Sequence, residues 1–192
     1  MLMGSFTLEG FDDGIVYGLR KIYLSPLGRV FEDLRWGGNA WVLLGLTILV
    51  AFWFAKKQSF RAAGLMFLLW GSALGLNHLL KMLFRRPRPV QSWASPELIP
   101  DSYSFPSGHA MLSAAVYLGI LFLSRHVSES RLFRITLMIL APVLTLAVGF
   151  SRVVITAHYF TDVIVGWILG LMLALLANEM MKKQEPKTMA KA

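Results

Sequence analysis

Cysteine is absent from the 192 residues, which excludes disulfides, thiolate nucleophiles and cysteine-based zinc sites. Charge is scarce as well: 16% of residues are Asp, Glu, Lys or Arg and 56% are hydrophobic. With a mean hydropathy of +0.58, the chain is too apolar for an ordinary soluble domain. Internal repeats and low-complexity tracts are missing. Residues 1–13 carry Glu9, Asp12 and Asp13 and no basic residue, the wrong pattern for the n-region of a cleavable signal peptide. Acidic residues number 11 against 19 basic ones, a net charge of +8. The basic residues fall at the ends of apolar runs and in loops. That distribution suits anionic lipid headgroups and is not the single soluble patch of a nucleic-acid binder.

What the chain has in quantity is apolar runs of about 20 residues, the length that crosses a bilayer as a helix. Five are expected: Asn39–Ala55, Ala62–Leu80, Phe105–Ser124, Leu132–Phe150 and Tyr159–Ala177. Period-2 alternation is lacking, so helices satisfy the backbone in lipid. The expected fold class is an all-α polytopic transmembrane helical bundle with five spans and an N-terminal interfacial amphipathic segment. Residues 11–36 mix Ile15, Tyr17, Leu19, Ile22 and Tyr23 with Arg20 and Lys21, and Pro26 and Gly28 break the run. Two short amphipathic helices lying in the membrane interface follow. The expected divisions are an arm over 1–38, a transmembrane catalytic bundle over 39–178 and a polar tail over 179–192. Gly71 with Gly75, and Gly166 with Gly170, are small-xxx-small pairs that permit close helix contact within the bundle. Trp36, Trp41 and Trp93 read as interface-belt residues.

Five spans put the termini on opposite sides. The C-terminal side carries ten Lys and Arg, and the other side nine. Setting aside Lys81, Arg88 and Arg152, which have another reason to exist, leaves ten against six. The positive-inside rule then places the C-terminus in the cytoplasm.

Three polar motifs interrupt the apolar background. In KMLFRRPRP, Lys81 closes a span and Arg88 follows seven residues later, with Pro87 and Pro89 stiffening the exit. Arg forks onto phosphate oxygens and Lys adds a point charge, although a basic interfacial flank would look the same. In PSGH, Ser107 and Gly108 open a helix, whose free N–H groups favour an anion that Gly108 lets approach closely. His109 follows directly; a cap with an incidental histidine is the plainer alternative. In SRVVITAHYFTD, Ser151 and Arg152 end one span, and His158 and Asp162 open the next at i, i+4 on one helical face. A carboxylate there accepts from His158 Nδ1–H and leaves Nε2 with its lone pair, the orienting half of a triad with histidine as a possible nucleophile. A buried structural pair is the competing explanation. Glu97 and Asp101, in the loop over these motifs, are solvated acids by default.

Together, K-x6-RP, PSGH and SR-x5-H-x3-D resemble the type 2 phosphatidic acid phosphatase superfamily over Lys81–Asp162, with every motif position matched. Its membrane members hydrolyse lipid phosphates and pyrophosphates without metal; soluble relatives include bacterial acid phosphatases and vanadium haloperoxidases. Many membrane members have six spans, and here the first is replaced by the short arm. The resemblance implies that His158 attacks phosphorus to form a phosphohistidine and that Asp162 orients and charge-stabilises it. His109 would protonate the leaving oxygen and then activate water. Lys81, Arg88, Arg152, Ser107 and the Gly108 N–H would hold the equatorial oxygens. No cofactor and no metal are expected.

The sequence therefore points to an integral membrane lipid phosphatase of a bacterial inner membrane, with its site facing the periplasm or exterior. Its partners would be a lipid phosphate and the bilayer, with no nucleic acid. A lipid phosphotransferase shares the same first step. A transporter would need inverted repeats and charges at mid-membrane, and neither is seen. Phosphatidylglycerophosphate, phosphatidate, a polyprenyl pyrophosphate and phosphorylated lipid A all remain candidate substrates.

Overall fold

The computed structural model describes residues 7–89, 92–99, 101–128 and 130–182. The described residues form eight α-helices and two short 3₁₀ turns. They are α1 (Leu8–Gly18), α2 (Arg20–Tyr23), α3 (Leu27–Leu34), α4 (Ala40–Lys56), α5 (Phe60–Phe84), α6 (Gly108–Ser124), α7 (Arg131–Val154) and α8 (Phe160–Lys182), with the 3₁₀ turns at Arg35–Gly38 and Pro96–Leu98. The five expected apolar segments are the five long helices, α4 to α8. Three of them, α5, α7 and α8, are long and apolar enough to cross a bilayer alone. The segment Leu27–Gly38 and α4 pass together as a pair bent by 52°. At 17 residues α6 is shorter. It is also the innermost helix, buried at twelve positions, so neighbouring helices rather than lipid cover most of its surface.

Starts and stops follow local chemistry. Asn39 caps α4, its Oδ1 accepting from Trp41 and Val42 N–H at 2.9 and 3.3 Å. Ser107 caps α6 through Ala110 N–H, and Ser130 caps α7 through Phe133 N–H. Helix α5 runs four residues past its expected end because Arg85, in the left-handed region at φ 47°, and the following prolines stop it, not the hydropathy. Lys81 therefore sits in the last turn of α5 instead of closing it, and α7 likewise takes in Ser151 and Arg152.

Small residues on α8 set its register. Asp162, Gly166, Gly170 and Ala174 are buried at i, i+4 spacing on one stripe. A Cβ on Gly166 would lie 2.7 Å from Ser107 O, and one on Gly170 would lie 2.3 Å from Met111 O. The two glycines let α8 close on the α6 backbone, and that approach turns Asp162 inward. Gly71 and Gly75 do no such work: nothing lies within 4 Å of the Cβ either would carry.

The N-terminal arm differs from expectation in form. It has three short helices, not two, and it docks on the bundle. Val16 is fully buried in a cluster with Ala110, Val153 and Val163. Gly28 lies inside α3, where any side chain would meet the Tyr23 carbonyl at 2.0 Å. Tyr23 binds Ser95 through both its hydroxyl and the Ser95 N–H. Trp93 packs edge-on to Tyr17 beneath Arg20, so it joins the arm to the 92–99 loop instead of standing in an interface belt. Trp36 and Trp41 are exposed. Of the expected tail, residues 179–182 are the last turn of α8, and 183–192 lie outside the described residues.

Candidate active site

The ends of α5, α6, α7 and α8 that carry the three motifs meet at one end of the bundle. Helix α8 begins at Phe160, so His158 is on the turn before it and not on its face as the spacing suggested. The turn is built by Thr156 at φ 57°, which folds the Ala157 and His158 N–H groups back onto the Arg152 carbonyl at 3.0 and 3.1 Å. His158 is thereby held 2% exposed.

Its tautomer follows from its partners. Arg88 Nη1 lies 3.0 Å from His158 Nε2. A guanidinium only donates, so Nε2 carries the lone pair and Nδ1 the proton. Nδ1 faces Ser104 Oγ at 3.4 Å and Asp162 Oδ2 at 3.6 Å. The expected direct Nδ1–H to carboxylate hydrogen bond is thus too long, and Ser104 bridges it by donating to Asp162 Oδ2. Tyr159 N–H adds a second bond to that oxygen at 3.0 Å, and Arg86 Nη1 takes Oδ1 at 2.7 Å. Burial, and then the charges of Arg88, Arg152 and Lys81, push His158 well below its ordinary 6.5, so the ring is neutral at pH 7.

Arg88 and Lys81 are held mostly by backbone carbonyls. Arg88 Nε donates to Ser102 O at 2.7 Å, and Nη2 to Ser102 Oγ at 2.9 Å. Burial lowers Arg88 to about 10, against an opposing pull from Asp162, which leaves it charged at neutral pH. Lys81 Nζ donates to Tyr103 O and Ser104 O. Lys81, Arg88, Gly108, His109 and His158 border one cavity of about 200 Å³, with Asn77 and Ser102 on its wall. Arg152 borders a neighbouring cavity of about 330 Å³ with Arg35, Asn39 and Glu97. His109 lines both. Arg152 is 2% exposed, and its Nε and Nη1 have no hydrogen-bond partner among the described residues. Two buried, unpaired donors on a cation suit an anion. Ser107 is fully buried: its Oγ caps α6 and its N–H donates to Asp162 O at 3.0 Å, so it couples α6 to α8 and borders neither cavity.

Sequence reasoning missed Ser104, Asn77 and the paired role of Arg86. Asn77 Nδ2 donates to Pro106 O at 3.1 Å, and its Oδ1 would lie 2.9 Å from a Cβ on residue 108, so any side chain there would have to displace Asn77. Ser104 lies three residues before the PSGH serine, and nothing in its spacing singles it out. Among the described residues no group of three or more His, Asp or Glu is placed to hold a metal ion.

Comparison with known proteins agrees with this architecture. The family model of the PAP2 superfamily matches residues 61–186. The chain is 34% identical over 174 residues to phosphatidylglycerophosphatase B of Bacillus subtilis, covering 90% of this chain and 84% of that one. It is 28% identical over 109 residues to an undecaprenyl-diphosphatase of Sulfolobus acidocaldarius, covering 55% of this chain and 48% of that one. Its fold matches the crystal structure of the transmembrane PAP2 type phosphatidylglycerolphosphate phosphatase from Bacillus subtilis with a TM-score of 0.85 at 30% identity, over 96% of this chain and 91% of that one. It matches the fold of Aquifex aeolicus LpxE with a TM-score of 0.63 at 23% identity, over 93% and 99% of the two chains. A bundle of apolar helices with a cationic, histidine-bearing site at one end defines a membrane-embedded phosphoryl-handling protein. The chain belongs to the PAP2 superfamily.

Proposed function

We propose that this chain is an integral-membrane lipid phosphatase that works through a phosphohistidine, with phosphatidylglycerophosphate as the first substrate to test. The observation that carries the mechanism is the Arg88–His158 contact, which marks Nε2 as the unprotonated nitrogen in a cavity lined by two cations and a second histidine. The family and the 34% identity to a phosphatidylglycerophosphatase support the substrate class.

In the first step His158 Nε2 attacks phosphorus and the P–O bond to the lipid breaks, with His109 donating a proton to the departing oxygen. Positive charge develops on the imidazole, and Asp162 stabilises it through the Ser104 bridge. Lys81, Arg88, Arg152 and the Gly108 N–H meet the charge on the phosphoryl oxygens, the main electrostatic need of phosphoryl transfer. In the second step His109 takes a proton from water, water oxygen bonds to phosphorus, the P–N bond breaks, and inorganic phosphate leaves. Transfer to a second lipid would differ only in the acceptor. The site faces the exterior of a bacterial inner membrane, and the described part of the arm, residues 7–38, serves the bundle over 39–178 as a docked cover.

The test is phosphate release by purified protein from a panel of lipid phosphates and pyrophosphates, with acid-labile labelling of the enzyme by a radioactive substrate. Release from phosphatidylglycerophosphate, and label lost in His158→Ala, are expected. No release from any member of the panel would overturn the reading. Label on Ser107 would overturn the phosphohistidine.

A further inference from the structure

Asp12 is fully buried, although it belongs to the first helix of an arm otherwise rich in exposed residues. A buried carboxylate is costly unless paired, and this one has three partners. Oδ1 accepts from Thr161 N–H at 3.1 Å. Oδ2 accepts from the Thr161 hydroxyl and from Arg86 Nη2, the latter at 2.8 Å. The other nitrogen of the same guanidinium, Nη1, donates to Asp162 Oδ1 at 2.7 Å and to Thr161 Oγ1 at 2.9 Å. Tyr159 lies under the guanidinium, 4.1 Å from ring centroid to Cζ. One arginine therefore spans two buried carboxylates, one from the arm and one beside His158.

The sharing matters because an arginine left with one carboxylate is free to fork onto both of its oxygens, a common geometry for the pair. Asp162 Oδ2 is the oxygen that Ser104 and Tyr159 N–H occupy and that faces His158 Nδ1. While Asp12 holds Nη2, Arg86 reaches only Oδ1. Without Asp12, Nη2 is released to compete for Oδ2, which would turn the carboxylate away from Ser104 and spend its charge on Arg86 instead of on the imidazole. Val16, one turn on from Asp12, is buried against Val153 and Val163, so the arm cannot withdraw without losing packing.

We propose that Asp12 is a positioning residue: by clamping Arg86 it fixes the Asp162 carboxylate for His158, so that the N-terminal arm completes the site. This rests on the phosphohistidine reading above. The test uses the purified full chain and two substrates, a long-chain lipid phosphate and a small soluble phosphate ester. Asp12→Asn is expected to lower kcat on both by a similar factor of about 10- to 100-fold, the usual cost of misplacing a reacting group by an ångström or so, with KM held within about twofold. In an Arg86→Gln background Asp12→Asn should cost nothing more, because the pair acts as a unit. An unchanged kcat, a loss confined to the long-chain lipid, a change in KM alone, or the same loss in both backgrounds would each overturn the proposal. If Asp12→Asn does not fold, Arg86→Lys carries the test. It keeps the charge at a partly exposed side chain but lacks the two separate nitrogens that hold Asp12 and Asp162 apart, and a wild-type kcat there overturns the clamp. A substrate-free readout separates this from the reaction itself. In ¹⁵N-histidine spectra, assigned with His158→Asn, the His158 ring signal should move in Asp12→Asn, and an unmoved signal overturns the proposal. Lack of phosphate release by the wild type would instead sink the phosphatase reading.

Discussion

Arg88 donates through Nη1 to His158 Nε2 at 3.0 Å, so the guanidinium that would grip a phosphate oxygen is hydrogen-bonded to the atom that would attack phosphorus. A charged phosphoryl oxygen is a better acceptor for Arg88 than a neutral imidazole. Substrate would thus draw Nη1 away and free the lone pair, while Ser102 keeps Nε and Nη2 in place. Arg88→Ala should lower kcat/KM by about 10²- to 10³-fold, as loss of one charge-stabilising donor does elsewhere. Arg88→Lys should recover only part, since an ammonium lacks the fork. Steady-state kinetics on a soluble phosphate ester decide it, and a near-wild-type kcat/KM in Arg88→Ala would remove Arg88 from the chemistry.

The neutral state of His158 has a signature in stability. Its pKa is lowered well below 6.5 by burial and by neighbouring cations. The unfolded chain therefore takes up this proton near pH 6.5, while the folded chain does so only at lower pH. Below 6.5 the unfolded state binds more protons, and stability falls as pH falls, by up to about 1.4 kcal/mol per pH unit from this group. The loss levels off below the folded pKa. Thermal unfolding in detergent between pH 7 and pH 5 should show the decline, and His158→Gln should lessen it. Equal slopes in the two proteins would contradict a buried neutral imidazole.

Much of this site was legible in the sequence, because its groups are charged residues in an apolar background. Lys81, Arg88, His109, Arg152, His158 and Asp162 stood out for that reason, and the structure brings all six to one end of the bundle. What was not legible depends on tertiary approach. Ser104 is an ordinary loop serine until α8 sets Asp162 beside it. Asp12 enters the sequence reading only as an acid that argues against a signal peptide, and its burial against Thr161 and Arg86 depends on the arm docking on the bundle. The family resemblance makes Ser107 a phosphate donor, but its Oγ and N–H serve the α6 cap and the link to α8. Hydropathy locates the long helices, but the C-terminal ends of α5 and α7 depend on left-handed residues at 85 and 156, which hydropathy does not report.

The α6–α8 seam predicts a glycine dependence at one pair and not the other. A side chain on Gly170 meets the Met111 carbonyl at 2.3 Å, while Gly71 faces nothing within 4 Å. Gly170→Val should destabilise the fold by about 1–3 kcal/mol or prevent it, the range for overpacking. Gly71→Ala should be close to neutral. Because Gly170 shares a stripe with Asp162, the Gly170→Val protein should also lose activity beyond its loss of fold. Detergent melting temperatures for the two variants test the contrast, and equal shifts would show that α6 and α8 do not meet as described.

The donor set also bears on metals. The site offers cations and histidines, and no three-ligand cluster among the described residues. EDTA should leave activity intact, and vanadate should inhibit as a mimic of five-coordinate phosphorus. Loss of activity in EDTA with recovery on added Mg²⁺ would contradict the assignment of phosphate charge to Lys81, Arg88 and Arg152.

Orientation is the remaining expectation that a direct measurement can decide. Two cations in the Lys and Arg comparison turn out to have structural work. Arg61 donates to the Met180 carbonyl near the end of α8, and Arg86 holds Asp12 and Asp162. Setting both aside changes ten against six to nine against five, so the bias toward a cytoplasmic C-terminus survives. The chain has no cysteine, so a single introduced thiol reports its side without background. Ser92, in the loop beside the site, and Lys57, between α4 and α5, are both exposed and lie at opposite ends of α5. In right-side-out membrane vesicles a membrane-impermeant maleimide should label Ser92→Cys at once and Lys57→Cys only after the membrane is opened. The reverse pattern would put the site in the cytoplasm. A lipid phosphate would then have to be presented from the inner leaflet, and the charge bias of nine against five would have misplaced the C-terminus.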